Sequence, residues 1–178
     1  MKINIYHDWF FLIEYYWSTV KKSECRYEII LPLLISLAVT MVYSNVGAAL
    51  SGLLKLRDLL PATLAILIGF TIACIAMLAA SESSNIKELK LNFTKGRNIN
   101  GVVVSLYQWI LTLFCYELLI QTILLLFTFF VAFIIRVVNC YIVMSVLLFV
   151  EVALLLHISF LLVRCVTYIY FTFFPNKK

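Results

Sequence analysis

LLIQTILLLFTFFVAFIIRVVNCYIVMSVLLFVEVALLL, residues 118–156, holds only two charged side chains, Arg136 and Glu151, among Leu, Ile, Val and Phe. It joins two longer apolar runs, one from about Val102 to Ile135 and the other from about Cys140 to Phe174. A helix needs ~20 residues to cross ~30 Å of hydrocarbon. Each run is therefore long enough for one crossing, and the excess length must tilt, bend or protrude. Only Arg136 to Asn139 separate them, which predicts a tight antiparallel hairpin.

Two further apolar runs precede this pair, Ile29 to Leu54 and Leu59 to Ala80. Over the whole chain 64% of residues are hydrophobic, 13% are charged and the mean hydropathy is +1.04. A water-soluble fold of this size cannot hide that much apolar surface. Bilayer helices can, because each satisfies its own backbone hydrogen bonds. The expected fold is an all-α integral membrane four-helix bundle. It consists of two antiparallel transmembrane hairpins with crossings at 29–54, 59–80, 102–135 and 140–174.

Lys and Arg set the orientation. The segment 1–28, the loop 81–101 and the tail 175–178 together hold ten, against three at Lys55, Arg57 and Arg136. The richer side is normally cytoplasmic, so both termini are expected at the inner face of a bacterial inner membrane. The net charge of +5 is spread along these flanks rather than gathered in one patch, which speaks for topology and against direct nucleic-acid binding. The opening MKINIYHDWFFLIEYYW lacks the apolar core and cleavage site of a signal peptide and reads as the start of the mature chain.

In residues 1–28, Trp9, Leu12, Ile13, Tyr16 and Val20 recur at helical spacing. With Trp17, Lys21 and Lys22 they predict an amphipathic helix anchored in the inner interface and touching lipid, or docked on a protein surface. From Asn45 the sequence NVGAALSGLLKLRDLLP either extends the first crossing to Leu54, or ends that crossing near Asn45 and lays 47–58 along the outer surface as a short amphipathic helix, and Pro61 suits the first turn of the helix that follows in both. The loop SESSNIKELKLNFTKGRNING, 81–101, predicts a short helix capped by Ser83 or Ser84, turns at Gly96 and Gly101, and a partner-facing basic surface at Lys87, Lys90, Lys95 and Arg97.

Five residues stand where polarity is expensive: Glu117 and Gln121 in the third crossing, and Glu151, His157 and Arg164 in the fourth. Folding the hairpin about residues 137–138 sets Glu117 opposite residue ~158, adjacent to His157, which makes a contact between Glu117 and His157 feasible. His157 and Arg164, seven apart, share a helical face; Glu151 lies ~120° round from His157. These groups serve either as interhelical glue, with Arg164 snorkelling to the headgroups, or as the lining of a hydrated, proton-sensitive path. The five cysteines, Cys25, Cys74, Cys115, Cys140 and Cys165, form no CxxC pair and read as free thiols. No zincin, P-loop, nucleotide-binding or nucleophile motif occurs, so neither a catalytic residue nor a metal or other cofactor is expected.

LPATLAILIGFTIACIAMLAASESSNIKEL, Leu60 to Leu89, resembles a second crossing found in small four-span bacterial membrane proteins of antiphage defence. Two comparisons arise, the membrane subunit of the Kiwa system and the B protein of the phage lambda Rex exclusion system. The first implies an oligomeric sensor, a tetramer, that works with a soluble cytoplasmic effector; the second implies an ion channel that depolarises the cell. The function expected is accordingly a non-enzymatic, homo-oligomeric sensor or scaffold that engages a cytoplasmic partner protein. The alternative is a pore lined by Glu117, Gln121 and His157.

Overall fold

The computed structural model describes residues 5–43, 45–99 and 101–173. Six helices and one β-hairpin follow in chain order: α1 (Ile5–Thr19), α2 (Lys22–Val42), α3 (Val46–Ala80), α4 (Ser84–Leu91), β1 (Phe93–Ile99), β2 (Val102–Ser105), α5 (Leu106–Val137) and α6 (Tyr141–Phe173). α2, α3, α5 and α6 are each long and apolar enough to cross a bilayer, so the protein is a multi-pass membrane protein built on a four-helix bundle.

Local chemistry sets where these helices begin. The Asn45 side chain accepts a hydrogen bond from the Ala48 amide at 2.8 Å, which starts α3 at Val46. Ser105 and Gln108 form a reciprocal capping box that starts α5, and the Ser83 hydroxyl caps α4 as its sequence suggests. Several boundaries differ from the expected ranges. α2 ends at Val42 and α3 starts at Val46, which agrees with the reading that ends the first crossing near Asn45 and not with the one that extends it to Leu54; 46–58 is the first part of one 35-residue helix instead of a separate surface helix. Pro61 lies inside that helix and deprives the Arg57 carbonyl of its helical donor. The third crossing begins at Leu106, because Val102–Ser105 pairs with β1.

That hairpin is a finding the sequence reading omits. Ile99 pairs with Val102 across a two-residue connection ending in Gly101, whose φ of +79° only glycine adopts cheaply. Gly96, at φ +77°, sits in the irregular part of β1 between Phe93 and Asn98.

α5 packs on both α3 and α6, while α2 lies mainly along α6 rather than along α3, its neighbour in the chain. One buried cluster joins Leu64, Phe114, Leu124, Ile158 and Leu161; a second, near the α5–α6 turn, joins Ala49, Leu53, Val131, Met144 and Leu148. Large apolar side chains face outward, among them Leu34 and Met41 on α2 and Phe130 and Phe133 on α5. A bundle bathed in hydrocarbon has no reason to hide them. α1 is laid against α5 and β1.

Candidate functional site

At the end of the bundle where α1 and the hairpin dock, four charges from three elements meet under cover. Glu24 and Glu28 come from the start of α2, Arg164 from α6 and Arg97 from β1. Arg164 pairs with Glu24 at 2.8 Å and also with Glu28, while Arg97 meets Glu24 at 2.9 Å and donates to the Thr19 carbonyl at the C-terminus of α1. Side-chain exposure is 7% for Arg97, 11% for Arg164 and 6% for Glu28, so the pairs are shielded from solvent. The charges balance, two against two. Trp109 of α5 completes the site, with the Arg97 guanidinium 3.8 Å and the Arg164 guanidinium 5.0 Å from its ring centroid.

The carboxylates reach inward because α2 changes pitch beside them. Arg26–Ile30 form a π-helical turn, in which the Leu31 amide bonds to the Arg26 carbonyl five residues back. The Glu28 carbonyl accepts a hydrogen bond from His157 Nδ1. Since a carbonyl only accepts, Nδ1 carries the proton, and in the neutral ring Nε2 accepts from the Tyr116 hydroxyl at 3.1 Å. Tyr116 stacks on Tyr16 of α1, centroids 3.7 Å apart and planes 2° from parallel. The Tyr16 hydroxyl in turn donates to Glu28 at 2.7 Å. Burial, with the Glu28 carboxylate beside it, holds that hydroxyl far above the usual phenol range, so it stays a donor. α1, α2, α5, α6 and β1 are thus joined by one polar and aromatic network.

A smaller polar contact lies beside it. Gln121 donates to Glu117 at 3.1 Å and exchanges hydrogen bonds with Thr71 of α3 at 3.2–3.3 Å, and the Cys165 thiol lies beside Glu117. Glu151 is fully buried beside Thr128.

Searched against protein-family models, curated protein sequences and solved structures, the chain gives no match.

The five intramembrane candidates are all covered, yet their partners differ from those expected. Glu117 and His157 do not meet: Glu117 turns to Gln121 and Cys165, whereas Tyr116, one position and ~100° away on α5, takes His157. Glu117, Gln121 and His157 have 0%, 0% and 9% exposure and pack between helices of one chain. Arg164 does not snorkel, because two carboxylates on α2 hold it.

Of the loop residues, Lys87, Lys90 and Lys95 face outward, with the Lys90 ammonium 4.9 Å from the Tyr107 ring centroid. Arg97 corrects the expectation of an outward, partner-facing side chain: the Glu24 carboxylate and the electronegative C-terminus of α1 draw it inside. Along α1, Tyr16 is buried and Leu12 and Ile13 are half-buried, while Trp17, Lys21 and Lys22 are exposed. The side chain of Trp9 lies outside the described ones. Glu24, Glu28, Trp109 and Tyr116 were missed as site residues. The available signal was two carboxylates at i and i+4 on the edge of an apolar run, in a chain with two arginines in want of partners.

Proposed function

We propose that this chain is a non-enzymatic, oligomeric sensor and scaffold of the bacterial inner membrane, in which a unit formed by α1, α4 and the hairpin engages a soluble cytoplasmic protein. One observation carries the reading: the hairpin and α1 are fastened to membrane helices α2 and α6 through Glu24, Glu28, Arg97 and Arg164. A shift of α2 against α6, caused by stress in the bilayer, strains these pairs and moves the docked elements. Lys87, Lys90 and Lys95 supply an outward cationic face on those same elements, suited to an acidic protein surface. The excess of Lys and Arg on this side supports a cytoplasmic setting. The family resemblance at Leu60 to Leu89 extends the reading to defence against phage.

The test is affinity capture from membranes extracted into polymer-bounded lipid discs, without detergent. A specific soluble protein is expected with the parent chain and is lost with a Lys87→Glu, Lys90→Glu, Lys95→Glu triple variant. Capture of no soluble protein, or capture unchanged by the triple variant, refutes the reading. The burial of Glu117, Gln121 and His157 gives no support to a pore built on those three residues.

A further inference from the structure

We infer that α3 is the self-association face of this protein, where copies meet around a common axis through Lys55 and Asp58. The inference rests on the oligomeric scaffold reading above for the existence of an assembly and adds the surface that builds it.

The length of α2 supplies the first step. Its 21 residues rise ~31 Å, which matches a ~30 Å hydrocarbon layer with nothing to spare. The apolar part of α2 up to Val42 therefore spans the hydrocarbon, with Lys22, Glu24, Arg26 and Glu28 toward its margin, and the longer helices overhang it. Contacts between helices show at which end. Tyr43, just past α2, has its carbonyl bonded to the hydroxyl of Tyr141, the first residue of α6, and the Glu28 carbonyl meets His157. Hydrocarbon thus runs from the level of Tyr141 to a little beyond His157, and the overhang lies wholly on the α1 side.

Gly52 of α3 fixes the height of its neighbours on this scale. A Cβ placed there would come within 3.0 Å of the Tyr43 ring, which reaches in from the end of α2, and within 3.4 Å of Leu148, which is ~10 Å in from Tyr141. Lys55 and Asp58 follow Gly52 by ~5 and ~9 Å toward the α1 end. Both therefore sit well inside the hydrocarbon layer. Yet Asp58 has 66% side-chain exposure, and Lys55 is exposed with no described carboxylate within ion-pair reach. Arg57 bonds to Asp58 at 2.9 Å, leaving Lys55 as the surplus cation. Ionisable groups at such depth face protein or water rather than lipid.

A second copy of this chain meets the requirement. Copies in one membrane share an orientation, so residues three apart on α3 lie at nearly the same depth around a common axis. Lys55 of one copy then reaches Asp58 of the next. The surrounding surface permits the approach: Ser51, Ala62, Gly69 and Ala76 stand exposed in line with Lys55 and Asp58 at spacings of three, four and seven residues. A Cβ built on Gly69 meets nothing within 4 Å among the described residues, so no described contact inside the subunit accounts for that glycine. Exposed Leu59, Ile66, Phe70 and Ile72 flank this stripe on α3, while the outward faces of α5 and α2 carry Phe, Leu and Met.

Cysteine introduced at Ala62 is oxidised in native membranes with copper phenanthroline, beside Leu126→Cys on the lipid side of α5. The parent chain with its own five cysteines gives the baseline. Ala62→Cys is expected to raise the covalent dimer severalfold above the parent, and Leu126→Cys to leave it unchanged. In lipid discs, Lys55→Asp and Asp58→Lys each lower the assembled fraction severalfold by mass photometry, and the paired exchange restores it. Crosslinking at Leu126→Cys instead of Ala62→Cys, or full assembly of both single variants, overturns the inference. Assembled parent particles without the Ala62 crosslink refute this interface while leaving the scaffold reading intact; monomeric parent particles remove the assembly as well.

Discussion

Glu28 enters the network through both its side chain and its backbone. Its carboxylate receives Tyr16 and Arg164 while its carbonyl receives His157. Burying two carboxylates and two guanidinium groups is costly, and the pairs are held by mutual compensation rather than by net gain. Breaking one side is therefore far worse than removing both. Glu28→Ala is expected to cost about 3–5 kcal/mol, as for one partner of a buried pair, and a paired Glu28→Leu, Arg164→Leu variant less than Glu28→Ala alone. Thermal unfolding in lipid discs, compared as a double-mutant cycle, measures both. At Tyr16 the hydroxyl and the ring separate cleanly. Tyr16→Phe keeps the stack on Tyr116 and loses about 1.5–3 kcal/mol of charge-assisted hydrogen bonding, and Tyr16→Ala loses the stack as well. Hydrogen exchange over α1 reads the difference. At this scale the sequence revealed which residues are buried and little of what they touch. Glu117, Gln121, Glu151, His157 and Arg164 betray themselves by standing in apolar runs. The partnership of Arg97 with Glu24 spans 73 positions and leaves no local mark.

Among the elements, the four crossings were legible because long apolar runs have one physical outcome in a bilayer. Their ends were less so. Hydropathy averages over a turn or more, whereas α3 starts on the single hydrogen bond made by the Asn45 side chain, a mark too short to interrupt a long apolar run. The hairpin had a usable signal, Asn100 and Gly101 between Ile99 and Val102–Val104, which the apolar run starting at Val102 masked. Its connection is open to test. Gly101→Ala places a Cβ on a residue at φ +79° and is expected to destabilise the hairpin by about 1–2 kcal/mol. Faster exchange of β1 and β2 amides, with the crossings unaffected, is the measurement.

Over the whole molecule, three helices of 32–35 residues are tied to one of 21, so the fold has an interior zone of four helices and an overhang of three. The overhang is where α1, α4 and the hairpin attach, which puts nearly all recognisable extramembrane structure on one side. Single cysteines at Lys95 and at Gly47 are expected to label with a membrane-impermeant maleimide from opposite faces, Lys95→Cys only after the cell is opened. Labelling of Lys95→Cys in intact cells contradicts the cytoplasmic assignment. The bundle as a class was visible in the composition, but the placement of α2 on α6, and so the site between them, depends on side chains far apart in the chain.

The widened π turn at Arg26–Ile30 is in effect one residue too many for a regular spiral, lodged between Glu24 and the membrane-buried part of α2. Excising Tyr27 lets the backbone relax to an ordinary pitch, swings Glu24 about 100° round the axis and leaves Arg97 and Arg164 without it. The amphipathic entry helix then comes unfastened while every crossing stays in place. A one-codon deletion is thus expected to uncouple what lies in the lipid from what stands above it, seen as loss of amide protection confined to α1 and β1.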